Sequence, residues 1–237
     1  MTANTSFPSL ASFQRIVFFT GAGLSVESGI PTYRGKGGMW AEYDYEDYAC
    51  QRAFDRDPSK VWDFHDMRRE KVASCAPNDG HRIIAELQAE KPGAVSVITQ
   101  NIDGLHGRSG AKDVVELHGS LWRVRCDDCN IVKADTSVPM APRKHECGGY
   151  WRPDIVWFED QLAYPNLRRA EELLSSCDLL VSIGTSGVVY PAADLPRIAV
   201  IAKAVSVEIN LEDTPVSHLY QHRLRGTASA MLAAMRR

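Results

Sequence analysis

The fold of the chain is decided by the stretch FFTGAGLS at residues 18–25. It overlaps a short apolar run, residues 15–19, which is typical of a buried parallel strand. Gly21 and Gly23 then permit a tight turn and a close approach of the backbone to a ligand. A helix beginning near Leu24 would direct its free N–H groups to the same point, as in a phosphate-binding turn. Because Gly-x-Gly is a short motif, a plain strand-to-helix turn is an open alternative.

The composition excludes several classes of protein. Of 237 residues, 44% are hydrophobic and 24% are charged, and the formal net charge is −3. A dedicated nucleic-acid-binding protein would be strongly basic. No apolar run is long enough to span a bilayer, and residues 1–15 lack the regions of a signal peptide. We therefore expect a cytoplasmic monomer with no membrane or nucleic-acid partner, in which close cysteines form a metal site rather than disulfides.

The rest of the chain alternates between strands and helices, which predicts a doubly wound, mainly parallel α/β sheet of the Rossmann type. The predicted elements are helix 81–90, strands 94–99 and 114–117, helix 166–177, strand 179–183, helix 192–204, strand 205–209 and a terminal helix. Two insertions interrupt this pattern, a helical one at 41–75 and a cysteine-containing, zinc-ribbon-like one at 121–157. They form a predicted small domain, and residues 1–40, 76–120 and 158–237 form the Rossmann-like domain.

Two further features concern the segments that follow the first turn. Residues 29–40 are rich in glycine and are predicted to form a mobile lid. In the helical insertion, periodicity predicts an apolar stripe that is made of Val61, Trp62, Phe64 and Met67. The polar remainder of the same helix consists of His65, Arg68 and Arg69.

Polar or glycine-rich loops follow five predicted strands. They are 21–23, 100–103, 118–119, 184–186 and 210–212. In a doubly wound sheet, ligands bind beyond the carboxyl ends of the strands, so these loops are expected to share one site, although ordinary turn composition explains each loop alone. His118 has a suitable pKa range for a general base, and a structural histidine at a strand end is the alternative. Asn101 and Asp103 on the same edge favour the catalytic interpretation.

Five longer motifs resemble, in order, those of sirtuins, the NAD-dependent protein lysine deacylases. They are GAGLSVESGIPTYRG (21–35), TQNIDGLH (99–106), ELHGS (116–120), RPDIVWFE (152–159) and GTS (184–186). The resemblance covers residues 15–230 and implies that NAD is consumed as a co-substrate. The acyl group of a protein lysine would be transferred to ADP-ribose with release of nicotinamide, and His118 would deprotonate a ribose hydroxyl.

The resemblance also implies roles for individual residues. Contacts to NAD are implied for Gly21, Ala22, Gly23, Ser25, Tyr33, Arg34, Gln100, Asn101, Ile102, Asp103, Gly184, Thr185, Ser186, Asn210, Leu211, Glu212 and Ala228. His118 matches the catalytic histidine, with Asn101 and Asp103 beside it. Val156 and Phe158 match the segment on which the family binds the substrate peptide as an added strand.

Two other functions are compatible with these residues. The chain could cleave NAD as an ADP-ribosyltransferase or NAD hydrolase, or it could bind NAD without catalysis. Retention of His118 and of the motif at residues 152–159 favours deacylation. Release of nicotinamide that depends on an acylated peptide would distinguish deacylation from both alternatives.

The sequence departs from the family at the metal site. Cys126, Cys129 and Cys147 match three of the four zinc-binding cysteines, but the fourth is missing. Lys144 stands at the matching position and is a poor zinc ligand. His145 could complete a Cys3His set for one structural zinc ion, and a module stabilised by packing alone is the alternative. The other three cysteines are expected to be buried thiols.

A second departure concerns the acyl group. Sirtuins that remove succinyl, malonyl or glutaryl groups carry a Tyr-x-x-Arg pair, which matches His65 and Arg68 here. The Arg68 guanidinium keeps the bidentate hydrogen-bond donor suited to a carboxylate, whereas His65 offers one hydrogen bond. A solvated helix face rich in arginine is the alternative. The sequence therefore predicts a deacylase that acts on acetyl groups, on acidic acyl groups or on both.

Overall fold

The computed structural model describes residues 8–35 and 37–236. In chain order, the strands are β1 (Ile16–Thr20), β2 (Val95–Thr99), β3 (Val114–Glu116), β4 (Gly119–Cys126), β5 (Ile131–Ala134), β6 (Arg152–Ile155), β7 (Leu179–Ile183), β8 (Val205–Asn210) and β9 (His222–Arg225). The α-helices are α1 (Tyr45–Tyr48), α2 (Gln51–Arg56), α3 (Pro58–Ala73), α4 (Asp79–Glu90), α5 (Leu105–Arg108), α6 (Tyr164–Ser176), α7 (Pro196–Ile201) and α8 (Ala228–Arg236). The domain prediction also includes residues 1–7, 36 and 237, which lie outside the described residues.

Six strands form one parallel sheet in the order β3-β2-β1-β7-β8-β9. This is the doubly wound order, and it confirms the predicted Rossmann-like fold. The sequence did not predict β9. The strand order reverses between β1 and β7, so the ligand crevice of such a sheet lies beyond the ends of these two strands.

The two faces of the large sheet pack into separate apolar cores. Every residue of β1, β2 and β7 is buried, as expected for central parallel strands covered on both sides. Phe18 and Val181 point to the core covered by α4 and α8, and Phe19 and Leu180 point to the core covered by α6 and α7. The carboxyl end of β1, at Thr20, is therefore held in place by packing on both faces of the sheet.

The turn after β1 differs from the prediction in its type of helix. Residues Ala22–Ser28 form a 3-10 helix rather than an α-helix, and Gly29 ends it at φ 87°. The following residues up to 38 form no regular element within the described part of the chain. The predicted position of the turn is correct, but its N–H groups are arranged more tightly than in an α-helix.

The remaining strands form a second, antiparallel sheet in the order β5-β4-β6, beside helices α1, α2 and α3. Helix α3 begins at Pro58, and the Asp57 side chain caps it by accepting the Lys60 N–H. Trp62 of α3 donates its indole N–H to the Trp151 carbonyl next to β6. Helix α3 therefore packs directly on the small sheet.

The amphipathic pattern predicted for α3 is wrong, because its polar residues are buried and one residue of its apolar stripe is exposed. His65, Arg68 and Arg69 are only 4%, 5% and 0% exposed, whereas Met67 is 38% exposed. Arg69 is buried because it donates to the Leu121 carbonyl and pairs with Asp135 of the small sheet module. Hydrophobic periodicity assigns every polar side chain to solvent, whereas here Arg69 has polar partners in the interior and His65 and Arg68 are covered by aromatic rings. No helix among the described residues is long and apolar enough to cross a membrane.

Candidate active site

The glycine turn after β1 lies against the loop after β7. The Gly23 N–H donates to the Gly184 carbonyl at 2.9 Å. A Cβ atom on Gly23 would lie 2.6 Å from Gly184 Cα, which is a backbone atom that cannot move aside. Gly184 itself has φ +61°, a conformation that favours glycine. The two loops therefore meet at the switch point of the sheet, where the sequence predicted a phosphate cradle.

A buried polar network joins this turn to the loop after β2. Asn101 Nδ2 donates to the Gly21 carbonyl at 3.1 Å and to Ser25 Oγ at 3.2 Å. Ser25 Oγ donates to Asp103 Oδ2 at 2.7 Å. The burial of Asp103 raises the pKa of its carboxyl, and the hydrogen bonds from the Leu105 N–H and Ser25 oppose this shift. The predicted amide and carboxylate thus lie together beneath the glycine turn.

His118 lies at the end of β3, adjacent to the same loop, and is half-buried. Its Nδ1 is 3.0 Å from the Gln100 carbonyl oxygen. Because a carbonyl can only accept, Nδ1 carries the proton and Nε2 is left as the basic atom. Burial lowers the pKa of His118, the Gln100 hydrogen bond raises it, and the positive charge of Arg34 lowers it. Near neutral pH the imidazole is therefore neutral, as a general base requires.

The predicted peptide segment begins beside His118. The Val156 N–H donates to the His118 carbonyl, and the Phe158 N–H donates to the Ala49 carbonyl, both at 3.0 Å. These two N–H groups are therefore used inside the chain, and the binding of a peptide as an added strand on this segment stays a prediction. Arg34 Cζ lies 5.7 Å from the centre of the Phe158 ring. The predicted cofactor loop and peptide segment are therefore adjacent.

The residues predicted for the adenosine half of NAD lie at the ends of β7 and β8. Asn210 Nδ2 donates to the Thr185 carbonyl at 2.9 Å, which joins the two loops. The structure leaves three of the predicted residues on the surface: Ser186, Leu211 and Glu212. Ala228 is buried at the start of α8. Their contacts to NAD stay predictions.

His65 and Arg68 belong to α3, and Arg68 reaches Tyr33 of the predicted cofactor loop. The Arg68 guanidinium carbon lies 4.7 Å from the centre of the Tyr33 ring, and the guanidinium contacts the Met39 sulfur. Neither ring nitrogen of His65 has a partner among the described residues, and its ring stacks on Trp157 at 6.0 Å. Burial, assisted by the charge of Arg68, lowers the pKa of His65 to about 3. His65 is therefore a neutral hydrogen-bonding group.

The predicted metal ligands converge at the other end of β4. Cys126, Cys129, His145 and Cys147 offer ligand atoms that all lie within 4.8 Å of one another. Cys126 Sγ is 3.6 Å from Cys147 Sγ, and Cys129 Sγ is 3.6 Å from His145 Nδ1. Tetrahedral zinc with bonds of about 2.3 Å separates its ligands by roughly 3.8 Å. The Cys3His set therefore fits one structural zinc ion, and Cys50, Cys75 and Cys177 are buried thiols.

Two features of the site were missed by sequence reasoning. The Trp122 indole N–H donates to the Asp103 carbonyl at 2.7 Å, so β4 of the three-stranded sheet supports the loop after β2. Thr20 and Thr99 lie side by side at the ends of β1 and β2, with their hydroxyl oxygens 2.9 Å apart. The sequence did carry a signal for this second feature, because Thr20 and Thr99 are polar residues at the last positions of two apolar strands.

Known proteins resemble the chain over nearly its whole length. A family model described as the Sir2 family matches residues 21–191. An NAD-dependent protein deacylase 2 from Pyrobaculum aerophilum is 49% identical over 94% of this chain and 90% of its own. The dog NAD-dependent protein deacylase sirtuin-5, mitochondrial, is 39% identical over 94% and 81%. A solved complex of a Sir2 homologue with NAD is 41% identical over 96% and 90%, with a TM-score of 0.87.

Proposed function

The chain belongs to the Sir2 family and is an NAD-dependent protein deacylase, and we propose that it removes acidic acyl groups, of the succinyl type, from protein lysines. NAD supplies the ADP-ribosyl carbon that the acyl oxygen attacks as nicotinamide leaves. His118 would accept a proton at Nε2 from a ribose hydroxyl, because its Nδ1 donates to Gln100. Asn101, Ser25 and Asp103 would orient the nicotinamide half of NAD.

The observation that carries the acyl assignment is the environment of Arg68. Three arginines of the small domain are at most 5% exposed: Arg68, Arg69 and Arg152. Arg69 pairs with Asp135, and Arg152 pairs with Asp160. Arg68 has no carboxylate within 4 Å among the described residues.

A buried charge without a partner is costly, by several kcal/mol per ion. Tyr33 offers Arg68 a ring face, and Met39 offers it a sulfur atom, but neither carries a negative charge. A carboxylate at the end of the substrate acyl chain would supply the missing negative charge and accept bidentate hydrogen bonds from Arg68. Neutral His65 can add one hydrogen bond to the same group. These contacts favour an acidic acyl group over acetyl.

Arg68→Met tests this assignment. We expect kcat/KM for a succinyl-lysine peptide to fall roughly 10- to 100-fold, because a hydrogen-bonded charge pair is lost. The value for an acetyl-lysine peptide should change less than about threefold, since acetyl offers no carboxylate. Arg56→Met, in the same helical insertion but in the exposed pair with Asp47, is the matched control. An Arg68→Met enzyme that still prefers the succinyl peptide removes Arg68 from this role.

His118→Ala tests the catalytic assignment separately. This variant should bind NAD by calorimetry but release no deacylated lysine peptide, because no base is left to deprotonate the ribose hydroxyl. Release of nicotinamide by the unmodified protein without peptide would instead support NAD hydrolysis.

We also propose that the protein acts as a cytoplasmic monomer on protein substrates. The six cysteines, which are all free thiols, support the cytoplasmic part of this proposal. Light scattering of the purified protein tests the monomer, and fractionation of its source cells tests the location.

A further inference from the structure

A row of buried hydrogen bonds runs from helix α5 to the loop beside His118. His106 Nε2 lies 3.0 Å from Thr20 Oγ1, and Thr20 Oγ1 lies 2.9 Å from Thr99 Oγ1. Thr99 Oγ1 accepts the Asn101 N–H at 3.0 Å. All four residues are at most 5% exposed. Water cannot readily replace any bond of the row, so each bond constrains the next.

The last bond of the row acts on the peptide group that also contacts His118. The N–H of this group belongs to Asn101 and donates to Thr99, while its carbonyl belongs to Gln100 and accepts from His118 Nδ1. A peptide group is planar, so fixing the direction of its N–H fixes the direction of its carbonyl. That carbonyl in turn decides which nitrogen of His118 carries the proton.

We propose that His106, Thr20 and Thr99 are positioning residues that orient the Gln100–Asn101 peptide group and thereby keep the proton of His118 on Nδ1. The basic Nε2 then stays directed away from the carbonyl and available to a ribose hydroxyl. The proposal rests on the role of His118 as the general base. The row touches no substrate atom and acts only through the backbone.

The row holds geometry and does not conduct protons. Burial lowers the pKa of His106 to about 3, and the neighbouring His81, whose ring centre is 5.0 Å away, has a pKa lowered to about 4. Both imidazoles are therefore neutral wherever the enzyme is folded near pH 7. His106 Nδ1 and both ring nitrogens of His81 have no partner among the described residues, so the row ends inside the protein. His81 is the titratable neighbour of His106, and Arg34 is the charged neighbour of His118.

Thr20→Val removes the central hydroxyl with almost no change of shape, and Thr20→Ser restores the hydroxyl. We expect kcat/KM to fall roughly tenfold in Thr20→Val, the equivalent of one buried hydrogen bond, and to recover in Thr20→Ser. Ser206→Ala is the matched control, because it removes a buried hydroxyl from β8 of the same sheet. Its activity should equal that of the unmodified enzyme.

Two readouts separate positioning from a general structural role. The Gln100 carbonyl favours protonated His118, so a misdirected carbonyl should move the acidic limb of the pH profile of kcat/KM to lower pH in Thr20→Val. The 15N shifts of the His118 ring should also show part of the proton moved from Nδ1 to Nε2. Wild-type shifts and pH profile in a folded Thr20→Val enzyme would overturn the proposal, as would failure of Thr20→Ser to recover.

A second pair of variants applies if Thr20→Val does not fold. His106→Gln keeps a polar atom near the position of Nε2, and His106→Leu does not, so only the leucine variant should show the displaced pH limb. Equal profiles for both variants would refute the proposed row. The result for His118→Ala is independent: activity in that variant would remove His118 as the base, whereas an inactive His118→Ala with an unaltered Thr20→Val refutes the positioning row alone.

Discussion

Acidification should destabilise this protein through three histidines that are buried in their neutral form. His65, His81 and His106 are at most 4% exposed, and burial lowers their pKa values to about 3, 4 and 3. In the unfolded chain each imidazole has its ordinary pKa, about 6.5. Between pH 6.5 and about 4, the unfolded chain therefore binds three protons that the folded chain does not. Stability is complete above this range and is lost as the pH falls.

The size of the effect follows from linkage. Each pH unit below 6.5 costs about 1.4 kcal/mol for each histidine. At pH 5 the loss is about 2 kcal/mol per histidine and about 6 kcal/mol for the three, compared with a usual total stability of 5–15 kcal/mol. Asp103 acts in the opposite direction, because its raised pKa lets the folded state bind a proton before the unfolded state does. The histidines outnumber it, so the net effect is destabilising.

Urea unfolding monitored by tryptophan fluorescence at pH 7, 6 and 5 measures this loss. His81→Leu should reduce the pH dependence by about one proton, since this imidazole has no hydrogen-bond partner among the described residues to lose. His218→Gln, which replaces an exposed histidine, is the matched control for the loss of a histidine side chain. Both variants keep the four metal ligands. Any loss of bound metal in acid therefore affects them equally and does not change the comparison. An unaltered slope in His81→Leu, or a total loss below about 2 kcal/mol in the unmodified protein, would refute the reasoning.

Three further changes test other parts of the structure. Gly23→Ala should abolish NAD binding in calorimetry and lower the unfolding free energy by about 1–3 kcal/mol, because the new methyl meets Gly184 Cα at 2.6 Å. Cys129→Ser should reduce bound zinc, measured by atomic absorption, from one ion to less than one and lower the Tm, since metal binding contributes directly to folding. Arg69→Met should cost about 3–5 kcal/mol in urea unfolding because it removes the buried guanidinium and leaves the partly buried Asp135 carboxylate without its ion-pair partner. Arg82→Met, in an exposed pair, should cost less than about 1 kcal/mol.

The large sheet could be predicted because its signal is local. Each central strand is a short apolar run that ends in a polar or glycine-rich loop, and the doubly wound topology then places these loops on one edge. Strand β9 was missed because its sequence, HRLR at residues 222–225, carries three polar side chains and belongs to the edge of the sheet. An edge strand needs no apolar run, since only one side of it is paired.

The polar contacts between α3 and the three-stranded sheet could not be predicted, because they depend on partners distant in sequence. Arg69 is buried by contacts with the carbonyl of residue 121 and with Asp135, and neither position is related to it by any local spacing. The fourth metal ligand could be predicted from chemistry, because lysine is a poor zinc ligand and histidine is a good one. In the fold, the Lys144 ammonium lies over the Tyr150 ring, while His145 faces the cysteines.

The buried arginines of α3 and β6 also indicate where a contact lowers the stability of the fold but favours substrate binding. Arg69 and Arg152 have carboxylate partners, so their charges are compensated in the free protein. Arg68 is equally buried, but among the described residues it has only an aromatic face and a sulfur atom beside it, an arrangement that folding alone does not favour. Such an uncompensated charge is understandable if its partner arrives with the substrate, which links the least favourable contact of the fold to the specificity of the reaction.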